Sequence, residues 1–97
     1  MSDATLPAAQ DRYEINPMYL FRWEDSQQAY VLLYPEGIVK LNLTAGEIIK
    51  RCDGLRTVGE LVAELQALFT GDAERVAEGV YKFLEVFRAK GWIRRQA

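Results

Sequence analysis

The sequence predicts an α+β fold of winged helix-turn-helix type, with a three-stranded antiparallel meander followed by three helices. Three observations carry that expectation. Short runs of alternating, branched and aromatic residues fill positions 19–43, and from Thr44 onward apolar residues recur with the helical period. Helix start signals stand at Thr44, Thr57 and Asp72. A length of 97 residues leaves room for one hydrophobic core and no second.

Residues 1–16, with Pro7 and scattered Asp, Gln and Arg, hold neither period over a useful length. They are expected to form a flexible N-terminal arm, and residues 17–97 the single domain. From Tyr19 to Glu24, Tyr19, Phe21 and Trp23 fall on one side of a strand and Leu20, Arg22 and Glu24 on the other, which predicts a half-buried strand. Asp25 to Gln28 is a polar turn, and Ala29 to Tyr34 a second, more buried strand. Tyr34-Pro35-Glu36-Gly37 has proline and glycine where a tight turn uses them, so a third strand, Ile38 to Leu43, folds back antiparallel.

Thr44-Ala45-Gly46-Glu47 has the form of a capping box, with Leu43 and Ile48 spaced as a hydrophobic staple around it. Asp53-Gly54 ends that helix, and a second capping box, Thr57 to Glu60, opens the next after a tight turn. Val58, Leu61, Val62, Leu65, Leu68 and Phe69 form its apolar face. Asp72 caps the third and longest helix, whose face is Val76, Val80, Phe83, Leu84 and Phe87. Gly91 is suited to a left-handed ending that packs Trp92 on Phe87.

Apolar residues make up 49% of the chain and charged residues 27%, the balance of a folding globular domain. The longest apolar run, Ala29 to Tyr34, is far short of a membrane span. With no histidine and one cysteine, Cys52, the chain has no Ser-His-Asp or Cys-His nucleophile, no zinc or iron-sulfur ligand set and no internal disulfide. The start, Met1 to Thr5, lacks the basic flank and apolar stretch of a signal peptide, and a cytoplasmic location is expected. The carboxylate pairs Glu24-Asp25 and Glu47-Asp53 fall in a turn and at a helix cap, the glycines form no phosphate cradle, and Cys52 suits core packing. No enzyme activity, metal or cofactor is expected.

Residues 1–43 carry three basic and six acidic side chains, residues 44–97 nine and eight. Arg88, Lys90, Arg94 and Arg95 gather at the end, where they complement the negative end of the last helix and trail into water. Gly79 is mid-helix, which costs roughly 1 kcal/mol relative to alanine. Its missing side chain admits either a close backbone or packing on the sheet. An open meander leaves the third strand as an unpaired edge, a template for another strand. Beside it the third helix offers Phe83 and Val86, the Gly79 gap, and the cations Arg75 and Lys82 on one neighbouring stripe. Together these form a groove for an extended peptide bound by strand addition.

The run from Leu41 to Leu61, with its L-N-x-T-A opening, the C-D-G turn at Cys52 to Gly54 and T-V-x-E at Thr57 to Glu60, resembles the signature of the PqqD family. The resemblance extends over about Pro17 to Ile93. It implies a winged-helix-like peptide chaperone of pyrroloquinoline quinone biosynthesis, one of the recognition elements for leader peptides of ribosomally made, modified peptides. Such a protein binds the precursor peptide PqqA as a strand beside the third strand and against the third helix, and delivers it to the radical SAM enzyme PqqE. Carried onto this sequence, the peptide-binding residues are the backbone of Ile38, Val39, Lys40, Leu41 and Asn42, with Lys40, Arg75, Gly79, Lys82, Phe83 and Val86 facing the peptide. Nucleic acid and membrane are not expected partners. The alternative is a winged-helix DNA-binding module, but its recognition helix should be basic and Leu55 to Phe69 holds Arg56, Glu60 and Glu64 with no lysine. A small enzyme subunit working through carboxylates would need one that titrates near neutral pH. The open edge also predicts a homodimer formed by edge pairing or strand exchange.

Overall fold

The structure, a computed structural model, describes residues 7–96. Along the chain run β1 (Arg12–Ile15), β2 (Leu20–Glu24), β3 (Ala29–Tyr34), β4 (Gly37–Lys40), α1 (Leu43–Lys50), β5 (Asp53–Thr57), α2 (Val58–Leu68), α3 (Ala73–Ala89) and β6 (Ile93–Arg95). The class is α+β, as the sequence predicts. The strands form two antiparallel sheets, the meander β2-β3-β4 and a second sheet ordered β5-β1-β6.

The meander follows the alternation of its residues. Leu20 pairs with Leu33 and Glu24 with Ala29, while Tyr34 pairs with Gly37 across the two-residue turn Pro35-Glu36. That register sets Phe21, Trp23, Tyr30, Leu32 and Val39 on one face, where Leu32 is fully buried and Tyr30 stacks on Phe21 at 5.1 Å and meets Trp23 edge-on at 5.0 Å. Leu20, Arg22, Leu33, Ile38 and Lys40 take the other face.

The second sheet departs from the sequence expectation in three places. Residues 12–15 of the expected arm are its central strand, with Tyr13 buried, and Met1 to Leu6 lie outside the described residues. Four residues are too few for period-two alternation to stand out, and both partners of β1 lie more than 35 residues away: Arg12 pairs with Thr57 and Ile15 with Ile93. A strand, β5, also replaces the tight turn expected between the first two helices. Gly54 turns the chain at φ +79°, and the Asp53 carboxylate accepts from the amides of Leu55 (2.9 Å) and Arg56 (3.1 Å). Lastly, Arg94 and Arg95 do not trail into water but form β6, where Arg94 pairs with Glu14 at 2.7 Å.

The first helix is capped by Asn42 rather than by Thr44. The Asn42 Oδ1 accepts from the Ala45 amide at 2.8 Å, so the third strand stops at Lys40 instead of Leu43 and the helix starts earlier than the Thr44 box implies. Glu47 turns to Arg51 (2.8 Å), and Leu43, 63% exposed, forms no staple. The other two starts stand as predicted. Thr57 and Glu60 make a reciprocal capping box, and Asp72 accepts from the Glu74 amide. At the end of α3, Gly91 is left-handed at φ +81°, the Trp92 amide donates to the Phe87 carbonyl at 2.9 Å, and the two rings stack at 5.5 Å.

Ile48, Ile49, Val58, Leu65, Val80, Leu84 and Phe87 of the helices close one core with Leu32 and Leu41 from the meander and Tyr13 and Ile93 from the second sheet. Cys52 lies in it, and burial, aided by the charge of Asp53, pushes its thiol up to about 12. Among the described residues no helix is long and apolar enough to cross a membrane.

Candidate functional site

Because β4 is the last strand of its sheet, one side of its backbone has no partner strand among the described residues. The Leu41 amide donates inward to the Tyr30 carbonyl at 2.9 Å. Antiparallel ladders alternate inward and outward groups, so with Lys40 opposite Val31 and Ile38 opposite Leu33, the N–H and C=O of Ile38 and Lys40 face the open edge. These are the groups an added strand would pair with.

Alongside that edge runs a groove of about 460 Å³ between β4 with the start of α1 on one side and α3 on the other. Its walls include Val39, Leu41, Gly79, Phe83, Val86 and Phe87, and Lys40, Asn42, Lys82 and Lys90 also line it. Two observations mark it as unfinished. No described residue lies within 4 Å of where a Cβ on Gly79 would stand, so this glycine serves no packing among the described residues. In addition, Lys40, Lys82 and Lys90 form no ion pair with any described residue. Val86, on the wall, is 47% exposed despite its apolar side chain.

The fold therefore gathers eight of the ten residues singled out from the sequence: Val39, Lys40, Leu41, Asn42, Gly79, Lys82, Phe83 and Val86. Ile38 sits at the edge with its side chain on the opposite face of the sheet. Arg75 lies beyond the groove, beside a smaller hollow of about 240 Å³ that shares Gly79 and Phe83 with it. Lys40 contributes its edge backbone, since its side chain shares the face of Ile38, and the Asn42 side chain is occupied by its cap. Sequence reasoning missed the far end of the groove, made by Phe87, Lys90 and Trp92. A signal for it was present: 79, 82, 86 and 90 continue one helical stripe, and the Lys90 ammonium is held 5.5 Å over the Trp92 ring.

Among the described residues no group of three His, Cys, Asp or Glu side chains is gathered as metal ligands would be. A family model described as Coenzyme PQQ synthesis protein D (PqqD) matches residues 29–93, a span that contains the edge strand and the whole groove.

The chain belongs to the PqqD family.

Similar curated proteins agree. A PqqA binding protein of Stutzerimonas stutzeri is 47% identical over 75 residues, covering 77% of this chain and 80% of that protein. One from Azotobacter vinelandii is 41% identical over 93 residues, 96% of this chain and 97% of that one, so this similarity reaches well beyond the N-terminal end of the family model. Among solved structures, the PqqD truncation of Methylobacterium extorquens PqqCD, described as a functional, stand-alone RiPP recognition element, has a TM-score of 0.75 at 22% identity, covering 94% of this chain and 97% of that chain. The heterocyclase TruD matches with a TM-score of 0.67 at 18% identity over 90% of this chain and 12% of its own. At those identities the two structures speak for the fold alone.

Proposed function

We propose that this chain is the peptide chaperone of pyrroloquinoline quinone biosynthesis that binds the precursor PqqA as an added strand and presents it to the radical SAM enzyme PqqE. The observation that carries the reading is the coincidence of the unpaired β4 edge with the apolar groove along α3. Ladder bonds from Ile38 and Lys40 supply sequence-independent affinity, and side chains that drop between Val39 and Phe83 supply choice. The relatives' name, PqqA binding protein, supports the peptide partner. In this reading the chain is not an enzyme and works in the cytoplasm, with the single folded domain, β1 included, as the binding unit. Presentation to PqqE rests on family resemblance.

The test is a backbone amide NMR titration with PqqA peptide, then with duplex DNA at the same salt. Shifts confined to Gly37–Leu43 and Gly79–Trp92 on adding peptide are expected. No response to peptide, with shifts along α2 on adding DNA, would replace the chaperone by a DNA-binding module, although Val58–Leu68 contains Glu60 and Glu64 and no cation. The same open edge supports self-association of the free chain. Light scattering over a concentration series should detect dimers that PqqA disperses, and a monomer throughout would refute this.

A further inference from the structure

The groove's cations have a regular spacing that the binding of a strand would use. Lys82 and Val86 of α3 and Lys90, which caps its C-terminal end, follow one another at four-residue steps, and all three line the groove. Each step advances about 6 Å along the helix. Side chains on one face of an extended strand recur every second residue, at about 6.7 Å. From Lys82 to Lys90 is thus about 12 Å on the helix, against about 13 Å for four strand residues, so a peptide lying along α3 stays nearly in step with it. Lys90 is held against Trp92, and Glu78 and Glu85, the acidic residues one turn from Lys82, make no ion pair with it. Between the two ammonium groups the groove is apolar, through Val86 and Phe83.

We propose that the groove selects an extended peptide whose groove-facing side chains run acidic, apolar, acidic at every second residue, the acids meeting Lys82 and Lys90 and the apolar one seated on Val86 and Phe83. This rests on the reading that the groove binds a strand. It adds Lys82 and Lys90 to the apolar walls as determinants of choice, and leaves the sequence-independent affinity to the β4 edge. Charges at a binding rim act mainly through partner choice and salt dependence.

The experiment titrates the full chain and its Lys82→Glu, Lys90→Glu and Lys50→Glu variants with PqqA peptide, and with a set of PqqA peptides in which each Asp or Glu is replaced singly by Lys. Lys50, at the end of α1, does not line the groove and serves as control. All three lysines are exposed, and circular dichroism checks that each variant keeps its fold. Lys82→Glu and Lys90→Glu should each weaken binding of the parent peptide about tenfold, with Lys50→Glu unchanged. One Lys-bearing peptide should restore Lys82→Glu, and a second, altered four residues away, should restore Lys90→Glu. Unchanged binding by the two groove variants, rescue at any other spacing, or no rescue overturns the proposal while strand binding stands. Failure of the unaltered chain to bind the parent peptide overturns the strand reading itself.

Discussion

Between α1, β5 and α2, Glu47, Arg51, Glu64, Arg56 and Asp53 form an unbroken run of four ion pairs at 2.6 to 3.0 Å, whereas along β4 and α3 the three lysines of the groove have no acidic partner among the described residues. The glycines of the two regions differ in the same sense. A methyl on Gly46 in α1 would fall 2.9 Å from Tyr30 Cγ and 3.0 Å from its Cβ, while a methyl on Gly79 in α3 would meet no described residue. One region has its charges and its space used within the fold. The other leaves ladder groups, cations and volume unspent among the described residues, as open sheet edges and exposed apolar surface do where a partner binds.

The largest effect that would break this contrast is at the edge itself. Lys40→Pro removes the outward N–H without touching the inward ladder, so the fold should persist and PqqA binding should weaken by about 2 kcal/mol, roughly thirtyfold in Kd, relative to Lys40→Ala. Calorimetric titration of both variants decides it, and equal affinities would move the peptide off β4. Next comes Gly46→Ala, where the near part of the Tyr30 side chain has to shift, since its Cβ and Cγ are the atoms in the way. Stability should fall by about 2 kcal/mol in urea unfolding, and an unchanged midpoint would mean that α1 and β3 are less tightly fitted than their contacts imply. Gly79→Ala should do the opposite to stability, raising it by about 1 kcal/mol through helix propensity, while weakening PqqA binding because the methyl enters the groove. A gain in both would separate the groove from the peptide.

Elements with local signals were legible from the sequence. The meander was announced by alternation and the Pro35-Glu36 turn, α2 by its capping box, and α3 by Asp72 and the Gly91 ending. Those also position the groove, which is why eight of its residues could be named in advance. The strands β1, β5 and β6 were not legible, since each is five residues or fewer and pairs only with segments distant in sequence. The cap of α1 was misjudged because Asn42 and Thr44 are both capping residue types two positions apart, and only the chain's exit from β4 selects between them. Arg75 shares the stripe of Lys82, but two turns earlier on α3, at the smaller hollow beside Thr44. Periodicity assigns a face of a helix, not how far along that face a partner extends.

The smallest effect belongs to the charge run, and it sharpens the contrast by its sign. Glu64 accepts from Arg56 at 2.6 Å and from Arg51 at 3.0 Å. The hydrogen bond from Arg56 holds its carboxyl below the usual carboxylate range, and partial desolvation opposes this only in part. At Asp53 desolvation pushes upward but is outweighed by the amides of Leu55 and Arg56 and the Arg56 guanidinium. Both carboxyls are thus more acidic folded than unfolded, so the unfolded chain takes up protons first as pH falls. Their stabilisation is complete above the ordinary carboxylate range of about 4 and is lost as pH drops through the lowered folded values. Glu64→Gln keeps the shape and removes the charge. Because Glu64 and Arg56 are more than a third exposed, the drop in Tm at pH 7 should be only on the order of 3 °C, and the loss of stability between about pH 5 and 3 should become shallower than in the parent chain. PqqA affinity should not move. A Glu64→Gln variant of full stability that binds PqqA weakly would mean that the paired charges serve the peptide as well, and that the two regions are not divided as their contacts indicate.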